Sequence, residues 1–170
     1  MLFTINQALA WMSAGKDKQA VQAVLNPIGD RLSSQMHSNS TLVIGTASKK
    51  VPKTGAAISY GIVQGVPVEI AAGTAMPALS GTVAEATYNV YCFFIDSAST
   101  VTSAMGTAGA TYAAVKFPPF PEGKTLIGWV RVFPTTGSFV GGATDLDDGT
   151  VIPRAVYVSP VGPFDPTVLL

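Results

Sequence analysis

The nine residues TYNVYCFFI, positions 87–95, constrain the fold more than any other stretch. In an extended chain Tyr88, Val90, Cys92 and Phe94 share one side, and Tyr91, Phe93 and Ile95 share the other. A strand with one wet face alternates apolar and polar residues, whereas this one is apolar on both. It belongs in the middle of a sheet, with a packed layer over each face. The rest of the chain must supply those two layers.

Most of the chain beyond residue 40 reads as short strands separated by turn residues. Runs rich in β-branched and aromatic residues occupy 41–46, 56–63, 66–71, 87–95, 100–104, 126–133 and 151–158, the last split near Pro153. Asp96-Ser97-Ala98-Ser99 and Asp147-Asp148-Gly149 are turn clusters between them. Pro67 and Pro153 confine their strands to sheet edges or bulges, because proline has no N–H to give to a ladder. Many short strands with this punctuation predict a mainly β fold, an antiparallel β-sandwich or barrel-like domain over residues 41–160. No internal repeat of fixed period is present.

Residues 1–38 read differently, as a short helical segment ahead of the β domain. Thr4 and Gln7 have the spacing of a capping box, and Gly15 is placed to end a first helix. Asp17 can cap a second helix, whose apolar positions Val21, Val24, Leu25, Ile28 and Leu32 recur at helical spacing. Pro27 is expected to bend or break it. The stripe is narrow and aliphatic and needs another surface to bury against. Residues 161–170 read as an extended C-terminal tail.

A sandwich of this kind could carry a catalytic or binding site, and several residues are chemically suggestive. Gly123-Lys124-Thr125 looks like half of a phosphate-binding loop, but the first glycine of that motif would fall at Pro118. A strand, not a helix, follows it, so the reading is a turn feeding residues 126–133. His37 is the only histidine and has no acidic residue within five positions to orient it, so it reads as a solvated linker residue. Ser13 to Lys16 and Lys53 to Gly55 match two penicillin-binding signatures without the third. Asp145 to Thr150 is too compressed for a calcium loop and reads as a turn capped by aspartates. Cys92, the only cysteine, lies among aromatics in a strand and reads as inert core, with no disulfide and no thiolate metal site. Trp11 and Trp129 read as packing residues and not as a sugar-stacking platform. No catalytic, cofactor-binding or metal-binding set emerges, and the expectation is a protein that is not an enzyme.

Composition narrows the partners. Charged residues make up 12% of the chain, about half of the ordinary ~25%, and ten basic residues balance ten acidic ones. A chain without basic excess is not built to neutralise nucleic-acid phosphates. No apolar run reaches the ~18 residues of a membrane span, and the N-terminus lacks the charged start of a signal peptide. A neutral surface with few charges promotes association. The expected partner is therefore another copy of the chain, or other proteins that cover it.

The succession FFIDSAS, TVTSAMG, a proline step, LIGWVRV and GSFVGGATDLDD resembles a β-rich module of tailed-bacteriophage virion proteins, including head decoration proteins and capsid or tail fibres. The shared features are Pro-x-x-Pro-x-Gly at Pro118 to Gly123, x-Gly-x-Val-x-Val at Ile127 to Val132, and Phe-x-x-Gly-x-Thr-x-Leu at Phe139 to Leu146. They span about residues 86–158. The resemblance implies a capsid decoration or cement protein that binds the head surface, contacts the major capsid protein and forms a homotrimer. Alternatives are a tail or fibre component, or a carbohydrate-binding adhesion module. It also implies synthesis in a bacterial host's cytoplasm and residence in the virion. Pro118, Pro119 and Pro121 suit an extended crossover along a sheet edge, anchored by Phe117 and Phe120. Candidate assembly contacts are Val21, Val24, Leu25, Ile28, Phe117 and Phe120.

Overall fold

The computed structural model describes residues 15–162; within its helix, side chains are described at 21–23, 25, 26, 28–30, 32 and 33. Helix α1 (Gly15–Ser33) precedes eleven strands: β1 (Gln35–Met36), β2 (Val43–Ile44), β3 (Pro52–Lys53), β4 (Ser59–Val63), β5 (Val66–Ile70), β6 (Thr82–Val83), β7 (Asn89–Asp96), β8 (Val101–Met105), β9 (Lys124–Val132), β10 (Phe139–Val140) and β11 (Val156–Val158). All pairings between them are antiparallel. The fold is the mainly β, sandwich-like architecture that the strand pattern implies.

The sheet that organises it has the order β11-β9-β7-β8, with β7 inside as its two apolar faces require. On one face Tyr91, Phe93, Ile95, Ile127, Val130 and Val132 enter the main core, where they meet Met36, Val63, Val68 and Ile70 of the β1-β4-β5 sheet. On the other, Val90, Cys92, Phe94, Leu126 and Trp129 form a second core. The pairing of β7 with β9 slips between Phe93 and Phe94, a bulge at Ile127 that lets Leu126 and Trp129, three residues apart, enter the same core.

Pro67 sits on β5, an edge strand of its sheet, as its missing N–H demands. The β4–β5 turn is Gln64-Gly65, both at positive φ, which matches the twist of a two-residue hairpin. The turn clusters are closed by side chains: Asp96 accepts the N–H groups of Ala98 and Thr100, and Asp148 those of Thr150 and Val151.

Three expectations change. The helix expected to start at Asp17 begins at Gly15 and runs uninterrupted across Pro27, while the helix expected to end at Gly15 lies outside the described residues. Proline removes one ladder bond there, to the carbonyl of Ala23, and that residue is exposed, so water can satisfy it. The proline crossover lies over the outer face of the central sheet and not along an edge, because that face is apolar and has to be covered. Strands β1, β3, β6 and β10 are only two residues long, too short for an alternation to mark them. The Thr4–Gln7 capping box, Trp11 and the tail beyond Gly162 lie outside the described residues.

Candidate functional site

The residues that looked chemically suggestive are held in structural roles. Lys124 begins β9 opposite Asp96 of β7, its ammonium 3.8 Å from the Asp96 carboxylate and 3.1 Å from the Thr102 hydroxyl it donates to. It is a cross-strand pair, more engaged than the solvated strand start that the turn alone implies. His37 is exposed, and its backbone N–H donates to the Tyr60 carbonyl. The hydroxyl of Ser38, beside it, accepts the Tyr60 N–H at 2.7 Å, which ties it to the backbone. Cys92 is fully buried, and burial pushes its thiol well above the ordinary range, away from thiolate chemistry. Asp147 pairs with Lys49 at 2.7 Å, and that hydrogen bond and charge raise the lysine's pKa. Among the described residues no three His, Cys, Asp or Glu side chains converge on a metal position.

Phe117 and Phe120 pack on their own sheet. Residues 106–123 form a strap over the second core, and the rungs that hold it are aromatic. Phe117 meets Trp129 edge-on at 5.3 Å, and Phe120 meets Phe94 edge-on at 5.2 Å. Beside them, Arg131 lies over the Tyr112 ring at 4.6 Å, and Tyr88 stacks on Phe133 at 4.1 Å. Both strap phenylalanines remain half-buried.

Unspent apolar surface lies elsewhere. In β4 two of the inward positions are small, Ser59 and Gly61, and the third, Val63, enters the main core, while Tyr60 and the half-buried Ile62 point out. The reason is Met36 of β1, which packs across this face: a Cβ on Gly61 would come within 2.9 Å of the Met36 sulfur. The inversion leaves Ile58 at 43% and Tyr60 at 51% exposure on the outer face of the β1-β4-β5 sheet. By register Tyr60 stands beside Glu69, and Ile62 lies between Gln35 and Pro67. The alternation of Ile58, Tyr60 and Ile62 with Ser59 and Gly61 is legible in the sequence, but its sign is not: large residues normally face inward.

Helix α1 offers the second such surface. Ile28 and Leu32 are 49% and 62% exposed, while Val21 and Leu25 are half-buried; the side chain at Val24 lies outside the described residues. The helix end is fastened to the β4–β5 hairpin and to the turn before β9. The Ser33 carbonyl accepts the Gly65 N–H, the Ser34 hydroxyl accepts the Gln64 N–H, and the Asp30 carboxylate accepts the Gly123 N–H.

A shallow groove of about 520 Å³ runs along the β2–β3 ribbon, lined by Thr41, Val43, Lys53, Gly55, Ala56, Ala72 and Gly73. It has no aromatic wall on which a sugar ring could stack. No protein-family model, curated protein or solved structure matches the chain.

Proposed function

We propose that this chain is a non-enzymatic structural protein of a tailed-bacteriophage virion, a decoration or cement protein on the head surface that binds neighbouring capsid subunits. Its partners would be the major capsid protein or other virion proteins and further copies of itself, with a three-fold arrangement favoured. Synthesis would be in the cytoplasm of the bacterial host. The observation that carries the reading is the pair of exposed apolar surfaces, on α1 and on the β1-β4-β5 face, in a chain with 12% charged residues and no net charge. The motif resemblance over residues 86–158 adds the virion setting. The suggestive side chains are engaged in pairing, capping and packing, which leaves surface as what the fold offers a partner.

Copy number in purified particles tests it, measured on quantitative gels against the major capsid protein. Many copies, in a fixed ratio to the capsid subunit, are expected. A few dozen or fewer would move the assignment to a tail or fibre component. Absence from particles of the phage that encodes it would overturn the proposal.

A further inference from the structure

We propose that two copies of the chain join through strand β8, edge to edge and antiparallel about a two-fold axis, so that their central sheets become one. The inference goes beyond the virion reading and does not depend on it; within that reading the contact would link three-fold groups and not build them. It starts from the hydrogen bonds of the β7–β8 pair. Asp96 donates its N–H to the Thr100 carbonyl, and Gly106 donates to that of Val90, so positions 100 and 106 turn their backbone groups toward β7. An antiparallel ladder alternates, which places Thr102 and Ala104 with them and aims the N–H and C=O groups of Val101, Ser103 and Met105 away from β7. Those outward groups have no backbone partner among the described residues. Thr107, the next outward position, is bonded in both directions to Lys116, so the chain's own strap takes the edge there and the open stretch ends at Met105.

The other edges of the two larger sheets are guarded. β5 carries Pro67, β1 is bridged by Gly162, which donates to the Met36 carbonyl, and β11 is three residues long between Pro153 and Pro160. β8 has five residues with no proline, no charge and no slip in its register. It is also held in place from within. The Ser103 hydroxyl donates to the Ala78 carbonyl, and the Met105 sulfur lies 2.8 Å from where a Cβ on Gly81 would sit. An edge already ordered costs little to pair.

The side chains select a second copy as the occupant. Centred on Ser103, the register sets Ser103 against the partner's Ser103 and Val101 against the partner's Met105, and each such pair exchanges two N–H···O bonds. It is the register that uses every outward position of both strands and stays clear of Lys116. Between these pairs Thr102 faces the partner's Ala104. Apolar side chains thus meet apolar ones, small meet small, and no charge in the strand faces its like. Met105, 37% exposed in the single chain, is covered. Each β8 is consumed by the contact, so the pairing is isologous and closes at two copies, and the prolines beside β11 keep the joined sheet from growing at its ends.

Two variants and one amide measurement test it. Met105→Pro removes an N–H that only the dimer uses, and Met105→Lys sets a charge beside the partner's Val101; circular dichroism and thermal melting check that each folds. Sedimentation of the wild-type chain from about 5 to 500 μM is expected to show a monomer–dimer equilibrium with a Kd of about 10–100 μM, the scale of a small interface. Each variant should weaken it about tenfold or more. By NMR, the amides of Val101, Ser103 and Met105 should exchange about threefold more slowly at about 500 μM than at about 20 μM, and that of Thr107 equally at both. A wild-type chain that stays monomeric, variants that dimerise as it does, or an oligomer whose three outward amides exchange at the monomer rate would each overturn the proposal. Slowing of those amides by phage heads and not by concentration would give the edge to a capsid strand, and would overturn the second copy as its occupant. A dimer absent from particles would leave this contact standing and remove the virion reading. A monomer present in particles would do the opposite.

Discussion

Tyr91→Phe is expected to stabilise the protein, against the usual direction of core substitutions. Tyr91 is 1% exposed in the middle of β7, and its hydroxyl finds no hydrogen-bond partner among the described residues. Leaving a buried hydroxyl unpaired costs about 1–3 kcal/mol on the scale of protein mutational data. Removing it leaves the ring in place, including its edge contact with Phe139 at 5.9 Å, and opens a void of only one oxygen atom. The net gain should be about 1 kcal/mol, since the small void returns part of the benefit. For a chain of this size that raises the melting temperature by about 2–4 °C. Urea unfolding at pH 7 should show a higher midpoint with an unchanged slope. The pH dependence provides a second reading. Burial pushes the Tyr91 hydroxyl up to about 12, against about 10 in an unfolded chain. The folded state thus holds this proton more tightly, and the stability tied to it is complete below pH ~10 and lost as pH rises from ~10 to ~12. The variant should lose less stability over that window, although Tyr157, also raised to about 12, keeps part of the loss. A Tyr91→Phe protein less stable by 1 kcal/mol or more, with an unchanged alkaline profile, would refute the reasoning and mean that the hydroxyl is bonded in solution.

Other substitutions probe the strap, the bulged strand and the cysteine. Phe120→Ala should cost about 1.5–2 kcal/mol in urea unfolding, below the 3–5 of a fully buried aromatic, because the ring is only half-buried against Phe94. Wild-type stability would mean that the strap does not rest on the sheet. Gly128→Ala should destabilise by about 2 kcal/mol or more: the added Cβ would sit 2.4 Å from the Val158 carbonyl oxygen, a backbone atom of β11 that is paired with β9. A soluble variant with an unshifted melting temperature would exclude that register. Cys92→Ser should cost about 1–3 kcal/mol by placing a hydroxyl in an apolar core, whereas His37→Ala, on the exposed surface, should change the melting temperature by under a degree or two.

How much of this was legible in advance depends on whether a residue's neighbours are close in sequence. The apolar run at 87–95 by itself required a central strand under two layers, and the two faces read from it are the two cores. Pro67 by itself required an edge, and Asp96 and Asp148 by themselves marked turns, because each acts through backbone groups only a few residues away. The long-range choices could not be read this way. Gly61 faces inward with no room for a side chain because Met36, over twenty residues earlier, fills the space above it, while Ile58 and Tyr60 are left open to water. The proline segment covers a face and not an edge because Trp129 and Phe94 present apolar rings there, a fact of pairing between β9 and β7 that no local pattern records. Helix α1 runs through Pro27 despite the lost ladder bond to Ala23, which a local rule reads as a break. Local chemistry thus determined which segments could be strands and where they turn, while packing between distant segments decided which apolar residues were left for a partner.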